Sequence, residues 1–288
     1  MMRWLNFRNS VLLLIWAWVL LFVFFPNTLI VGISFLQRHE TAFVSTPLSL
    51  ENYLRLLDPV YLQVLLHSLG IAVIATVVCL LIGYPFAYAL RALPPRLKPL
   101  LIFLVIIPFW TNSLVRTYAM KLLLATNGLL NQALLGLGII EVPLRLLYTE
   151  AAVIAGLVYV LLPFMILPLY AIFEQLDNTL LEASADLGAN RWQTFLRVIL
   201  PLTLPGIIAG CLLVFLPALG MFYIADVLGG AKNLLLGNII KNQFLDARDW
   251  PFGASLSVML TVLMGVLLIA YFLSRRFKTT GDDHATLA

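Results

Sequence analysis

The chain has 288 residues and a formal net charge of +4; 62% of its residues are hydrophobic and only 11% are charged, giving a mean hydropathy of +0.99. Water-soluble domains carry roughly 25% charged residues, so a soluble fold is excluded. The basic residues flank apolar runs instead of forming one stripe, which excludes a nucleic-acid footprint, and the runs are continuous where a β-barrel would alternate.

The expected fold class is therefore an all-α membrane protein. Six long windows lack Asp, Glu, Lys and Arg: Val11–Gln37, Pro59–Leu90, Pro99–Val115, Ala151–Phe173, Val198–Ala225 and Trp250–Ser274. A helix needs about 20 apolar residues to cross a bilayer core of roughly 30 Å. These windows predict six spans, near 11–36, 65–90, 99–121, 151–173, 203–227 and 251–274, in a single domain covering 1–288. The third reaches sufficient length only with Arg116 at an interface. The first follows Arg3 and Arg8 as a signal peptide would, but it is too long and no small-x-small cleavage site follows it.

Between spans one and two, Ser49, Glu51 and the periodic Leu54, Leu57, Tyr61, Val64 and Leu65 predict an amphipathic surface helix. Arg91-Ala-Leu-Pro-Pro95 is a hard stop that makes spans two and three a hairpin. The semi-apolar segment 117–149 is punctuated by Gly128, Gly136, Gly138 and Pro143 and is expected to stay outside the membrane. A helix-like stretch at Leu234–Phe244 lies in the long loop after span five, and the tail after Phe277 reads as disordered. Pro85, Pro108, Pro163, Pro168 and Pro217 fall within spans, where each can kink its helix. Gly206, Gly210 and Gly220 suit close helix packing. Cys79 and Cys211 both lie inside predicted helices, so a structural disulfide is not expected.

Orientation follows from the basic residues. Arg91, Arg96 and Lys98 crowd one tight loop, and Arg275-Arg276 abut the last span, which places both termini in the cytoplasm. Counted with them on that side are Arg3 and Arg8, whereas Lys232 falls on the opposite side.

The polar island 174–201, EQLDNTLLEASADLGANRWQTFLRVILP, reads as two short helices joined by a glycine turn. Thr179 with Glu182 predicts a capping box, Gly188 a left-handed helix end, and Asn190 with Gln193 a second N-terminus. Pro201 is expected to stop the second helix.

Catalytic groups are not expected. His67 is the sole histidine in a predicted span, with no acid or second histidine at helical spacing, and no glycine loop for phosphate occurs. No metal site is expected. A secondary carrier should hold ionisable groups near mid-bilayer, and the spans hold almost none. That favours a transport subunit energised from elsewhere over a stand-alone channel or carrier.

Glu182, Ala183 and Ser184, then Gly188, then Val198, Leu200 and Pro201, keep the register of the EAA loop of ABC-importer permeases: Glu-Ala-Ala, three residues, Gly, nine residues, Ile-x-Leu-Pro. Ser184 replaces the second Ala and Val198 the Ile. The segments Ile107–Ala119, Gly156–Tyr170, Ala209–Ile240 and Arg248–Ser257 resemble the polyamine subgroup of this family. The resemblance implies a six-transmembrane-helix MetI-like bundle in a bacterial inner membrane, with the loop as a cytoplasmic coupling helix. It also implies a homologous second permease, two copies of an ATPase that carries ATP and Mg, and a periplasmic polyamine-binding protein. This chain would hold no cofactor, and membrane lipid would surround it. Spermidine and putrescine are the implied cargo, with another small organic cation or solute as the alternative.

A path for a flexible polycation needs acids or amide carbonyls for its ammonium groups and aromatic faces for cation–π contact. Phe222, Tyr223 and Asp226 lie together at the predicted outer end of span five, Trp110 and Asn112 at the matching end of span three, and Tyr159 on span four. The aromatics equally suit an interfacial belt or packing, and Asp226 a solvated helix end.

Overall fold

The structure is a computed structural model that describes residues 7–39, 44–45, 47–230 and 233–285. Arg3 and Lys232, used above for orientation, lie outside the described residues.

In chain order the helices are α1 (Phe7–Val19), a π turn (Leu20–Phe24), α2 (Phe25–Ser34), α3 (Glu51–Arg55), α4 (Pro59–Ala92), α5 (Lys98–Ile106) with a 3₁₀ turn (Ile107–Trp110), α6 (Ser113–Leu124) and α7 (Leu129–Gly136). Then come α8 (Glu150–Glu174), α9 (Asn178–Asp186), α10 (Arg191–Thr194), a π turn (Phe195–Ile199), α11 (Leu200–Gly220), α12 (Phe222–Ile224), a π turn (Ala225–Gly229), α13 (Leu236–Leu245) and α14 (Trp250–Ala285). Five helical runs are long and apolar enough to cross a membrane: Arg8–Ser34, Pro59–Ala92, Glu150–Glu174, Arg191–Gly220 and Trp250–Phe272. A sixth arises if the bent pair Lys98–Trp110 and Ser113–Gly136 counts as one span.

That pair corrects the expectation of a plain third span at 99–121, because the chain turns by 94° there. Pro108 has no N–H to continue the helix. Thr111 is extended, and the Asn112 side chain starts a new helix by accepting from the Leu114 N–H at 2.8 Å. The amphipathic surface helix is likewise interrupted. α3 ends at Arg55, and Asp58 then accepts from the Val60 N–H at 2.9 Å to begin α4 one residue before Pro59. The tail expected to be disordered continues α14 as far as Ala285.

The chain divides into two compact units, 1–62 with 239–288, and 63–238. In the first unit α14 packs on α2. Asn52, 5% exposed, donates to the Ser34 and Leu36 carbonyls at 3.2 and 2.8 Å, and Arg55 pairs with the buried Asp249 at 2.9 Å while lying 4.0 Å over the Phe252 ring.

The second unit is organised around α8. Leu161, Met165, Leu169 and Phe173 recur every four residues and are all fully buried, which is the helical period facing one neighbour. That neighbour is chiefly α11. A Cβ at Gly206 would meet Ile172 Cγ2 at 2.5 Å, and one at Gly210 would meet Met165 Sδ at 2.7 Å. These two glycines therefore let the helices approach closely. Gly220 does not act this way, since a Cβ there meets nothing within 4 Å. Cys79 and Cys211 are both free thiols.

Candidate functional site

The loop after α8 folds into the helix–turn–helix knob that its residues predict, with two changes. Its first cap is Asp177 and not Thr179: the Asp177 carboxylate accepts from the Thr179 N–H at 2.9 Å, so the Thr179–Glu182 capping box does not form. A carboxylate is the stronger acceptor for a helix N-terminus, and the Thr179 N–H holds the Asp177 carboxyl below the usual carboxylate range. α9 then closes on Gly188 at φ +79°. The Ala189 N–H donates to the Ser184 carbonyl at 3.0 Å and the Gly188 N–H to the Ala185 carbonyl at 2.9 Å. This is the paired 6→1 and 5→2 arrangement of a Schellman end. Asn190 and Gln193 form the reciprocal capping box, at 2.8 and 2.9 Å.

The second change is at Pro201, which does not stop the helix. The π turn Phe195–Ile199 carries the chain on, with the Leu200 N–H reaching back to the Phe195 carbonyl, and Pro201 sits in the first turn of α11, where its missing N–H costs little. The same device precedes Pro26, where the Phe25 N–H reaches the Leu20 carbonyl.

Ser184 stands where the EAA pattern that the sequence resembles has alanine. It is 8% exposed, and its hydroxyl shares a 3.0 Å hydrogen bond with the Thr194 hydroxyl, clipping α9 to the second helix. Glu182, Ala183 and Gly188 are exposed, Leu200 is half-buried, Pro201 is exposed, and Leu187 and Trp192 present bare apolar surface at 89% and 67% exposure. Two residues that the sequence used only for topology turn out to hold the knob's root. Arg91 donates to the Leu176 carbonyl at 3.2 Å and to the Asn178 side chain, and Lys98 pairs with Glu174 at 2.7 Å.

The second candidate region is a helix break. α11 ends at Gly220, Met221 leaves helical geometry (φ −77°, ψ 63°), and the chain resumes as α12 and a π turn ending at Gly230, φ +65°. Phe222, Tyr223 and Asp226 thus follow the break and do not sit on a span reaching 227. The residue that organises them is Asn238 of α13, which sequence reasoning missed. It is fully buried; it accepts from the Leu235 N–H at 2.9 Å and donates to the Phe222 carbonyl at 2.9 Å and to the Asp226 carboxylate. Close approach is possible because Gly237 lies against the Gly220 carbonyl, 3.1 Å from where a Cβ would stand. Ser68 fixes the same helix start by accepting from the Leu236 N–H at 2.8 Å.

The other predicted path residues are only partly brought together. α6 packs against α8, α12 and the π turn Ala225–Gly229. Asn112 uses its side chain as the α6 cap. Trp110 is 74% exposed and rests edge-on against Phe103 at 5.5 Å. Tyr159 is 44% exposed and faces Arg116, whose guanidinium carbon is 5.9 Å from the ring centre. Phe222 and Tyr223 pack edge-to-face at 6.2 Å, and Asp226 is exposed. Among the described residues no group of histidines, cysteines and acids could hold a metal ion.

Comparison with known proteins places this architecture. Residues 80–279 match the family model described as binding-protein-dependent transport system inner membrane component. The chain is 59% identical over 260 residues to the spermidine/putrescine transport system permease protein PotB of Escherichia coli, covering 90% of this chain and 94% of that one. It is 58% identical over 271 residues to PotB of Salmonella typhi, covering 94% of each, and 56% identical over 267 residues to PotB of Haemophilus influenzae, covering 93% of each. A chain of a bacterial alginate ABC transporter, solved in complex with an alginate pentasaccharide-bound periplasmic protein, superposes with TM-score 0.75 over 94% of both chains at 16% identity, a likeness of fold alone. The chain belongs to the binding-protein-dependent transport system inner membrane components, multi-pass permeases of the MetI-like fold.

Proposed function

We propose that this chain is one transmembrane subunit of an ATP-driven importer that moves spermidine and putrescine from periplasm to cytoplasm. The observation that carries this reading is identity of 56% or more to spermidine/putrescine permeases along nine-tenths of the chain. Its companions are a homologous second permease, two copies of an ATPase that binds ATP and Mg, and a periplasmic polyamine-binding protein. Both termini lie in the cytoplasm, and the 174–201 knob docks the ATPase there. Its rigid caps, its Ser184–Thr194 clip and its exposed Leu187 and Trp192 suit insertion into a cleft. At the other side Phe222, Tyr223 and Asp226, aligned by Asn238, offer ring faces and a carboxylate to the ammonium groups of the cargo, with Trp110, Asn112 and Tyr159 on neighbouring helices.

Uptake of radiolabelled spermidine and putrescine by the reconstituted four-component complex, with ATP inside the vesicles, tests this reading. ATP-dependent accumulation competed by unlabelled polyamine is the expected result. Accumulation of a different organic cation without polyamine uptake would overturn the substrate, and uptake independent of ATP would overturn the class.

A further inference from the structure

Two cavities adjoin at the end of the first span, Arg8–Ser34, distant from the N-terminus. One, of about 450 Å³, is lined by Gly32, Phe35, Leu48, Ser49 and Leu50 and is apolar apart from Ser49. The other, of about 230 Å³, is lined by Gln37, Arg38, Ser49, Glu51, Asn52 and Arg55. Ser49 is common to both. The walls are stitched to the end of the span. The Ser49 N–H donates to the Phe35 carbonyl at 2.7 Å, the Ser45 N–H to the Gln37 carbonyl at 2.8 Å, and the Asn52 amide to the Ser34 and Leu36 carbonyls.

The polar cavity holds unused valences of both signs. Arg55 is committed to Asp249, and Asn52 to backbone carbonyls. Arg38 uses Nη2 on the Ala247 carbonyl at 3.1 Å; its other donors, the Gln37 amide and the Glu51 carboxylate have no partner among the described residues. Beside them Leu48 and Leu50 are exposed by 80% and 64%, apolar surface that water covers poorly. A cation and an anion next to an apolar slot, where a hydrocarbon core gives way to headgroups, match an amphiphile whose head carries both charges. A polycation would meet two guanidiniums and leave the slot empty. Arginine takes a phosphate through paired N–H donors, and a carboxylate takes a primary ammonium through its N–H groups. We propose that the paired cavities bind one phosphatidylethanolamine molecule, with an acyl chain against Gly32 and Phe35, the phosphate at Arg38 and the ammonium at Glu51.

Native mass spectrometry of the full chain in detergent, titrated with equal amounts of phosphatidylethanolamine and phosphatidylglycerol, tests the assignment. One phosphatidylethanolamine should be retained, with about tenfold preference over phosphatidylglycerol, which has the phosphate but no ammonium. Glu51→Gln should abolish that preference and leave phosphatidylglycerol retention unchanged. Arg38→Gln should weaken both lipids about tenfold. Gly32→Leu should displace both, since a Cβ at Gly32 meets nothing within 4 Å and the added side chain has room to fill the slot. All three residues are exposed, and their thermal midpoints in lipid-free detergent should match that of the native chain. Equal retention of the two lipids by the native chain, or uptake of many copies of either without saturation, would overturn the site. So would native retention by Arg38→Gln and Gly32→Leu.

Discussion

Replacing Gly188 tests the knob as the transmission element. At φ +79° with nothing within 4 Å of a would-be Cβ, the position excludes a side chain by backbone conformation and not by collision. An L-residue held in left-handed geometry costs roughly 1–2 kcal/mol, and a β-branched one is a genuine outlier there. Relaxing the turn instead sacrifices the two Schellman hydrogen bonds, at about 1 kcal/mol each. Both routes cost about the same, so the native turn loses roughly 5- to 30-fold in relative weight. Vesicle uptake and polyamine-stimulated ATP hydrolysis should be measured for Gly188→Asn, Gly188→Ala and Gly188→Val in the assembled complex. Uptake should fall in that order, with Asn close to the native chain because it tolerates the left-handed region, while the ATPase subunits still co-purify. Wild-type uptake in Gly188→Val would remove the turn from the mechanism.

Three further outcomes are expected. Asp226→Asn retains an acceptor for the Asn238 amide, so assembly should be unchanged while polyamine uptake falls; unaltered kinetics would make Asp226 a solvated helix end and return its aromatic neighbours to packing. Asn238→Ala removes the acceptor of the Leu235 N–H, at about 1–3 kcal/mol, while the Phe222 carbonyl keeps the Ala225 N–H; an unshifted thermal midpoint would show that the break is held by other contacts. Single cysteines at Ala92 and Lys232 should react with impermeant maleimide from opposite sides of the membrane, and labelling from one side would end the six-span topology.

The long spans, Gly188 and the Asn190–Gln193 box were legible because each depends on residues adjacent in sequence. Charge-free length marks the five long runs, and glycine suits φ +79° better than other residues. The misreadings came from competition or from distance. Asp177 and Thr179 are both capping residues two positions apart, and spacing favoured the threonine because Glu182 completes its pattern, whereas the carboxylate wins the helix start. The 94° bend was signalled by Pro108 followed by Thr111-Asn112-Ser113, a stop and then a cap, but the length argument absorbed it into one span. Asn238 was invisible because its three partners lie 3, 12 and 16 positions away. Arg91 and Lys98 look like ordinary topology residues until the fold brings Leu176 and Glu174 beside them.

On the proposed docking role, the continuous helix through Pro201 would make the knob one end of a lever. From Arg191 to Gly220 it runs 30 residues, about 45 Å at 1.5 Å per residue. A tilt of about 5° imposed at the loop sweeps the far tip by about 4 Å over that length. The π turn sets the phase of this rod, since it holds one residue more than an α turn, equivalent to about 100° of rotation. Deleting a single residue within 195–199 would let this turn close to an α turn and keep Thr203, Gly206 and Gly210 facing α8. Deleting one from the α-helical stretch 200–202 would instead rotate all three away by about 100° while the knob stayed in place.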